Sequence, residues 1–238
     1  KVESGLAKAT VLGILAVFRA MLSQSVEDGH LTANPILGMG RRLRFPEKEE
    51  LIKAMTTEQI EAFLVACMEH EPFWYPLFLL LARTGMRIGE ALALEWGDLE
   101  LKNRRIHIRR ALSLGELGST KTGEGRDVDM SHQLLTTLSA LLADHQGKVI
   151  FATPAGSHRP YATVRKAFKR VLSRSGLQQH FTIHCLRHTF ASLLLQMGET
   201  PVYVQRMLGH SSIQMTVDRY GKWLPAGNPS AVDKLDAG

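Results

Sequence analysis

The stretch Ile183-His184-Cys185-Leu186-Arg187-His188-Thr189-Phe190 places basic and hydrogen-bonding side chains at helical spacing. His184 and Arg187 fall one turn apart on a shared face, and so do His184 and His188. A histidine and an arginine on one face suit an oxyanion, because both donate hydrogen bonds and both can carry positive charge. The rival chemistry is metal binding, since His180, His184 and His188 recur every four residues with Cys185 close by. His180, however, precedes Phe181-Thr182, which read as an entry loop. No HExxH glutamate or cysteine pair completes a zinc set. The expectation is an anion site with no metal and no cofactor.

Three further segments carry candidate groups. In Ala82-Arg83-Thr84-Gly85-Met86-Arg87-Ile88-Gly89-Glu90, Thr84-Gly85 breaks one helix and Arg87 opens the next. A helix N-terminus with an arginine beside it can hold phosphate through outward N–H groups. In Leu208-Gly209-His210-Ser211-Ser212 a helix stops and another starts, which leaves the His210 ring free to project into a cleft. In Asp218-Arg219-Tyr220-Gly221 a tyrosine stands at a helix end beside a glycine hinge. Taken singly, each of these is also what ordinary packing or a solvated surface produces.

The elements that must position these groups are mainly helical. Leu6, Thr10, Ile14, Phe18, Met21 and Leu22 recur at helical spacing, and Gly29, Asn34 and Pro35 end that pattern. Arg41-Arg42-Leu43-Arg44-Phe45-Pro46 and the acids to Glu50 lack periodicity and read as a linker, its basic half suited to tracking phosphates. Thr56 with Gln59 forms a capping box for a helix to Met68. Helices are expected at 74–82, 88–94, 132–145, 161–175, 184–197, 201–208 and 212–220. Thr200-Pro201 and a box of Ser211 with Gln214 open the last two. Residues 105–111 alternate like a strand, turn glycines at 115, 118, 123 and 125 suggest a hairpin system, and 149–151 read as a short strand. The fold class is mainly α with a small antiparallel sheet. The tail from Pro225, rich in Gly, Pro and Ala, is expected to be loose.

With 238 residues, 45% of them hydrophobic, the chain can bury a proper core. A formal net charge of +6 and a pI near 9.5 favour a polyanionic partner. No uninterrupted apolar run approaches ~18 residues, so no membrane span is expected. Cys67 and Cys185 read as reduced core residues of a cytosolic protein. The chain opens on Lys1 without a signal peptide and reads as a fragment of something longer. On the 161–175 helix, Tyr161, Val164, Phe168 and Val171 form an apolar face, while Arg165, Lys166, Lys169, Arg170 and Arg174 fill the rest with no acid among them. Lys102, Arg104, Arg105, Arg109 and Arg110 make a second basic cluster.

In order and wording, these segments resemble the tyrosine recombinase (phage integrase) family over about residues 55–224. The family pattern runs through an arginine after a TGxR turn, a hairpin lysine, HxxR, a later histidine and a nucleophilic tyrosine. It falls here on Arg87 in TGMRIGE, Lys121 in STKTGEGRDV, His184 and Arg187 in HCLRHTF, His210 in LGHSS, and Tyr220 in TVDRY. The resemblance implies the tyrosine recombinase catalytic-domain fold over 56–224. Residues 1–45 would be the last helices of a truncated core-binding domain, 46–55 a linker and 225–238 a flexible tail. Two features depart from the pattern: Gly-Lys-Trp follows Tyr220 where many relatives have a histidine, and the tail does not promise a long C-terminal helix.

The resemblance also implies a mechanism. A tyrosine with a pKa near ~10 is ionised about once in a thousand at neutral pH, so its attack needs help. Arg87 and Arg187 would clamp the non-bridging phosphate oxygens, and His210 would add a donor. Lys121 would protonate the leaving 5′ oxygen and His184 would assist proton transfer at Tyr220. The product is a 3′-phosphotyrosyl link that keeps the phosphodiester energy, so neither ATP nor metal is needed. The implied partners are double-stranded DNA attachment sites, three further protomers in a homotetramer, and accessory DNA-bending proteins, in the cytoplasm of a bacterium or of a phage host. Two alternatives stand beside this reading: a type IB topoisomerase-like enzyme, and a catalytically silent DNA-binding regulator.

Overall fold

The computed structural model describes residues 8–39, 52–113, 115–119, 125–143, 147–177 and 180–225, with a few isolated positions beyond them. Arg41, Arg42, Arg44, Lys121 and most of the 225–238 tail lie outside the described residues. The chain divides into two compact units, residues 1–51 and 52–238.

In the first unit, helix α1 (Lys8–Glu27) is followed by a turn that Asn34 holds against it. The Asn34 amide donates to the Arg19 carbonyl at 3.0 Å and to Ser23 Oγ at 2.8 Å. Within α1 the window Thr10–Glu27 averages a hydropathy of 1.3 over 18 residues. By length and composition alone it is apolar enough to cross a membrane, although no uninterrupted apolar run of that length is present. Arg19, Ser23, Gln24 and Ser25 interrupt the apolar run without lowering its average enough.

The second unit is built around α3 (Tyr75–Thr84), whose Leu77 to Ala82 are all buried. Such a helix has no polar face to show and must be enclosed by others. Helix α2 (Thr57–His70) packs on it, as do α5 (His132–Ala143) and α7 (Ile183–Gln196). Helix α6 (Tyr161–Arg174) packs on α2, with Phe168 in contact with Phe63 and Phe78 at ring-centroid distances of 5.0 and 5.6 Å. Tyr161, expected on the apolar face of α6, is half exposed; Ala167 and Leu172 take the buried places. The Thr56–Gln59 capping box forms, and the preceding Met55 amide donates to Thr189 Oγ1 at 2.8 Å, fastening the start of this unit to α7.

Between α4 (Ile88–Leu92) and α5 lie five short strands. Strands β1 (Leu99–Glu100), β2 (Arg105–Ile108) and β5 (Arg126–Asp129) form one antiparallel sheet in the order 1-2-5, with Ile106 opposite Val128 and both buried. Strands β3 (Arg110–Ser113) and β4 (Glu116–Ser119) form a separate ribbon. The single strand expected at 105–111 is therefore two, parted at Arg109, because β2 takes β5 as its neighbour and β3 takes β4. The strand expected at 149–151 is reduced to a bridge between Val149 and Glu95, since the chain turns at Ile150–Phe151 before a ladder can extend.

Helices α8 (Pro201–Leu208) and α9 (Ile213–Tyr220) close the unit. Thr200 caps α8 as expected, accepting from the Tyr203 amide at 3.2 Å. Helix α9 is capped by Ser212, which accepts from Met215, and not by Ser211. The two were indistinguishable in sequence because either serine can supply the oxygen.

Gly85 ends α3 in the left-handed region at φ 64°. A Cβ there would lie 2.4 Å from Phe190 Cδ1 and 2.9 Å from Leu208 Cδ2. Left-handed strain costs ~1–2 kcal/mol and overpacking ~1–3 kcal/mol. Gly85→Ala is thus expected to lose roughly 2–5 kcal/mol in urea unfolding, and a loss well below that range would mean the turn can relax.

Candidate active site

Arg187, on the inner face of α7, is 3% exposed. Its Nη1 donates to the Gly85 carbonyl and its Nη2 to the Leu208 carbonyl, each at 2.7 Å. These oxygens lie at the C-terminal ends of α3 and α8, where carbonyls lack intrahelical partners and a cation is favoured. One side chain thereby joins the TGMR turn, the LGHS turn and the HCLR helix. Each Nη keeps a second hydrogen for an anion.

Arg87 precedes α4 and is partly open to solvent, with 34% of its side chain exposed. Its backbone N–H donates to Glu90 Oε2 at 2.7 Å and its Nη1 to Glu90 Oε1 at 3.0 Å. The amide that the sequence offered to phosphate is therefore taken by a carboxylate, and the guanidinium is the group available to a ligand. Glu90 is 2% exposed and receives Arg126 as well, at 2.8 and 2.7 Å. Burial opposes its ionisation, yet Arg126 and Arg87 together hold its pKa below the usual carboxylate value. Arg126 donates in addition to the Met207 carbonyl at 3.0 Å. Its side chain passes Gly209 so closely that a Cβ there would lie 2.7 Å from Arg126 Cδ.

His210 follows Gly209 and is buried, with Nδ1 2.8 Å from Thr216 Oγ1 on α9. If the Thr216 hydroxyl donates, Nε2 bears the hydrogen and can itself donate to an anion. Tyr220 closes α9 and is fully buried. Its ring lies parallel to that of His210, with centroids 6.3 Å apart. On another side Trp223 approaches at 6.0 Å, covered in turn by Lys222 Nζ at 4.6 Å. The Gly-Lys-Trp that departs from the family pattern thus supplies part of the tyrosine's enclosure.

The hydroxyl of Tyr220 pairs with His188 Nδ1 at 2.7 Å. His184 lies one ring further out, edge-on to His188 at 4.6 Å. His180 precedes α7, with its ring against Phe181 at 4.5 Å. Sequence reasoning had singled out Arg87, His184, Arg187, His210 and Tyr220, and the fold brings all five to one place. Lys121 lies outside the described residues. The sequence reading gives no role to Glu90, Arg126 or Thr216, and gives His188 one only in the rival metal set. His188 alone had a visible signal, its shared helical face with His184.

The electrostatics are those of a cationic site awaiting an anion. Burial, then Arg187, Arg219 and Arg87, depress His184 to about 4, although its outer edge meets solvent. Burial, then His184, Arg219 and Arg187, depress His188 to about 4. Burial and the arginines at 187, 87, 219 and 126 take His210 to about 3. Burial raises Tyr220 above its ordinary value, against Arg187 and Arg219. Burial and Arg87 lower Arg187, with Glu90 opposing. At neutral pH all three imidazoles are uncharged and the phenol keeps its proton.

Of the expected basic surface on α6, Arg170 is committed to Glu71, its Nη2 lying 2.9 Å from Oε2. Arg165, Lys166, Lys169 and Arg174 are exposed, and the first three make no ion pair with a described residue. The second cluster is largely answered by acids: Arg110 meets Asp98 at 2.6 Å and Glu95 at 2.9 Å, Arg109 meets Asp98 at 3.8 Å, and Arg105 meets Asp127 at 4.0 Å.

The helical unit with two small sheets encloses a cluster of Arg87, Arg187, His210 and Tyr220. The phage integrase family model matches residues 53–224, and the chain belongs to that family. It is 24% identical to a tyrosine recombinase XerC-like protein of Caldanaerobacter subterraneus subsp. tengcongensis, over 98% of this chain and 67% of that protein. It is 27% identical to transposase A of transposon Tn554 from Staphylococcus aureus, over 75% of this chain and 51% of that one. It thus spans between about half and two thirds of these relatives' length. A structure of the Tn1549 transposon integrase in complex with a circular intermediate DNA superposes with a TM-score of 0.78, at 22% identity, over 99% of this chain and 81% of that chain.

The neutral histidines set a pH dependence. A histidine with a pKa near 6.5 when unfolded and about 4 or lower when folded takes up a proton on unfolding between those values. Stability should therefore be full above pH ~7 and fall as pH drops through 6.5 toward 4. Urea midpoints measured from pH 7 to pH 5 should decline, and His188→Gln should flatten the decline. A midpoint independent of pH over that range would show that these rings are not held neutral.

Proposed function

We propose that this chain carries the catalytic part of a site-specific DNA recombinase of the integrase type. It cleaves and rejoins DNA through a 3′-phosphotyrosyl link at Tyr220. The observation that carries this reading is the convergence of Arg87, Arg187 and His210 around the one buried tyrosine, from segments far apart in sequence. Two guanidinium groups and a neutral imidazole answer the charge that builds on a phosphodiester under attack. Residues 56–224 hold this chemistry. Lys121, by the resemblance, protonates the leaving 5′ oxygen.

Its substrate is double-stranded DNA bearing the attachment sites of a mobile element. The working assembly is a homotetramer on two duplexes, joined by accessory bending proteins, in the cytoplasm. Residues 1–45 and the basic stretch Arg41, Arg42 and Arg44 add grip on the duplex, as the end of a core-binding domain and its linker. A type IB topoisomerase or a silent DNA-binding regulator is the less favoured reading. His210 and the HCLRHTF wording speak against the first, and a regulator has no use for an enclosed tyrosine.

Incubation with nicked duplexes spanning the ends of the encoding element should give a covalent protein–DNA adduct on a denaturing gel. Tyr220→Phe should abolish the adduct and leave specific DNA binding intact; an adduct that survives in the Phe variant would remove Tyr220 as the nucleophile. Specific binding without any adduct from the unaltered protein would select the silent regulator.

The exposed cations of α6 serve as phosphate contacts. Lys166→Glu with Lys169→Glu should weaken binding at low salt and reduce the slope of log affinity against log salt by about 2, close to one unit per lost phosphate contact. Unchanged slope and affinity would take α6 out of the interface.

A further inference from the structure

The hydroxyl that must lose its proton has one close partner among the described side chains, and that partner is not the histidine of the family pattern. His188 Nδ1 stands 2.7 Å from Tyr220 Oη. His210 is turned toward Thr216 through its own Nδ1, with its ring parallel to the phenol at 6.3 Å. His184 meets the tyrosine only by way of His188, edge-on at 4.6 Å. A general base must lie within hydrogen-bond reach of the proton it removes, and at this hydroxyl His188 meets that geometric requirement.

We propose that His188 is a catalytic residue, the base that takes the Tyr220 hydroxyl proton during strand cleavage; this rests on Tyr220 being the nucleophile. In the forward step Tyr220 Oη forms its bond to phosphorus, and the phenolic proton passes to His188 Nδ1. The bond from phosphorus to the 5′ oxygen breaks, and that oxygen takes a proton from the site's general acid, the role the resemblance gives to Lys121. On rejoining, a 5′ hydroxyl attacks the phosphotyrosine and gives its proton back to the deprotonated general acid, while the His188 imidazolium returns its proton to the departing Oη. Atoms and charge balance over the cycle, with no co-reactant.

The surroundings explain why this transfer waits for DNA. Facing His188 are His184 and Arg187 on its own helix, and Arg219 and Tyr220 on α9. An imidazolium formed there without a phosphate would sit among cations, so the free protein keeps the ring neutral and the phenol protonated. A bound phosphodiester brings one negative charge, and its transition state brings another. Both favour the protonated ring, so the base strengthens as the reaction proceeds.

The test compares His188→Asn, His188→Gln and His184→Asn in the full chain, using nicked duplexes of the element ends. Melting curves and specific DNA binding serve as fold controls. Both His188 variants should bind DNA as the unaltered protein does, yet form adduct at least about 100-fold more slowly, the usual scale for losing a general base. Replacing Tyr220 by a ring-fluorinated tyrosine, whose phenol is more acidic, should restore part of the rate in the His188 variants and not in His184→Asn. A purely structural role for His188 would leave fluorination without effect. Near-normal rates in either folded His188 variant, or rescue confined to His184→Asn, would overturn the proposal. An unaltered protein that forms no adduct at all would instead sink the reading of Tyr220 as nucleophile, and this proposal with it.

Discussion

The site depends on one buried carboxylate. Arg87, Arg126 and Arg187 point into the same small volume, and three guanidinium groups in a partly desolvated space repel unless an anion lies among them. Glu90 is that anion. Its two oxygens accept from Arg126 as a fork and from Arg87 at a side chain and an amide, so it is fully satisfied although almost completely enclosed. A buried ion cluster of this kind is poor evidence for stability, because desolvation offsets most of its attraction. Its value is orientation: Arg87 is tethered on one side and exposed on the other, already aimed when a phosphate arrives.

The same cluster links parts of the chain that do chemistry. Arg126 opens β5, the strand that follows the Lys121 segment in sequence, and through Glu90 it connects that strand to the Arg87 turn. Through the Met207 carbonyl it reaches the end of α8, next to the turn that holds His210. Arg187 makes the complementary connection, from α7 to the ends of α3 and α8. Two of the left-handed glycines, Gly85 and Gly209, stand where these arginine contacts meet. At each, the backbone bends back sharply and leaves no room for a side chain.

Much of this was legible in the sequence, and the exceptions are informative. Most helices were readable because their apolar spacing, caps and stops agree: Thr56 with Gln59, Thr200 with Pro201, and Gly85 after a fully apolar run all say the same thing locally. The single strand expected at 105–111 failed because strand alternation does not reveal a change of partner, and β2 and β3 differ in nothing else. The high average hydropathy of α1 was not legible as an apolar run, because Arg19, Ser23, Gln24 and Ser25 break it. Arg87, Arg187, His210 and Tyr220 were visible as motifs, whereas Glu90, Arg126 and Thr216 act by contact between different segments, up to 81 residues apart, and spacing on one helix cannot show that.

The residues that sequence reasoning missed explain the condition of those it found. Without Glu90 the Arg87 side chain would lose its tether and Arg126 its fork, and without Thr216 the His210 tautomer would be unset. Without His188 the Tyr220 hydroxyl, buried and pushed toward its protonated form, would have no acceptor within reach among the described side chains. Four arginines, at 87, 126, 187 and 219, act on this pocket against the carboxylate of Glu90, so among the described residues the site carries an excess of positive charge. Burial and that excess together keep three histidines neutral, while burial, against the pull of Arg187 and Arg219, keeps the tyrosine protonated. A phosphodiester removes the excess by binding, and the charge developing on it in the transition state removes more. The substrate is then the component that completes the electrostatics of the site, which lets a protein carry a nucleophile that stays protonated until the right anion lies against it.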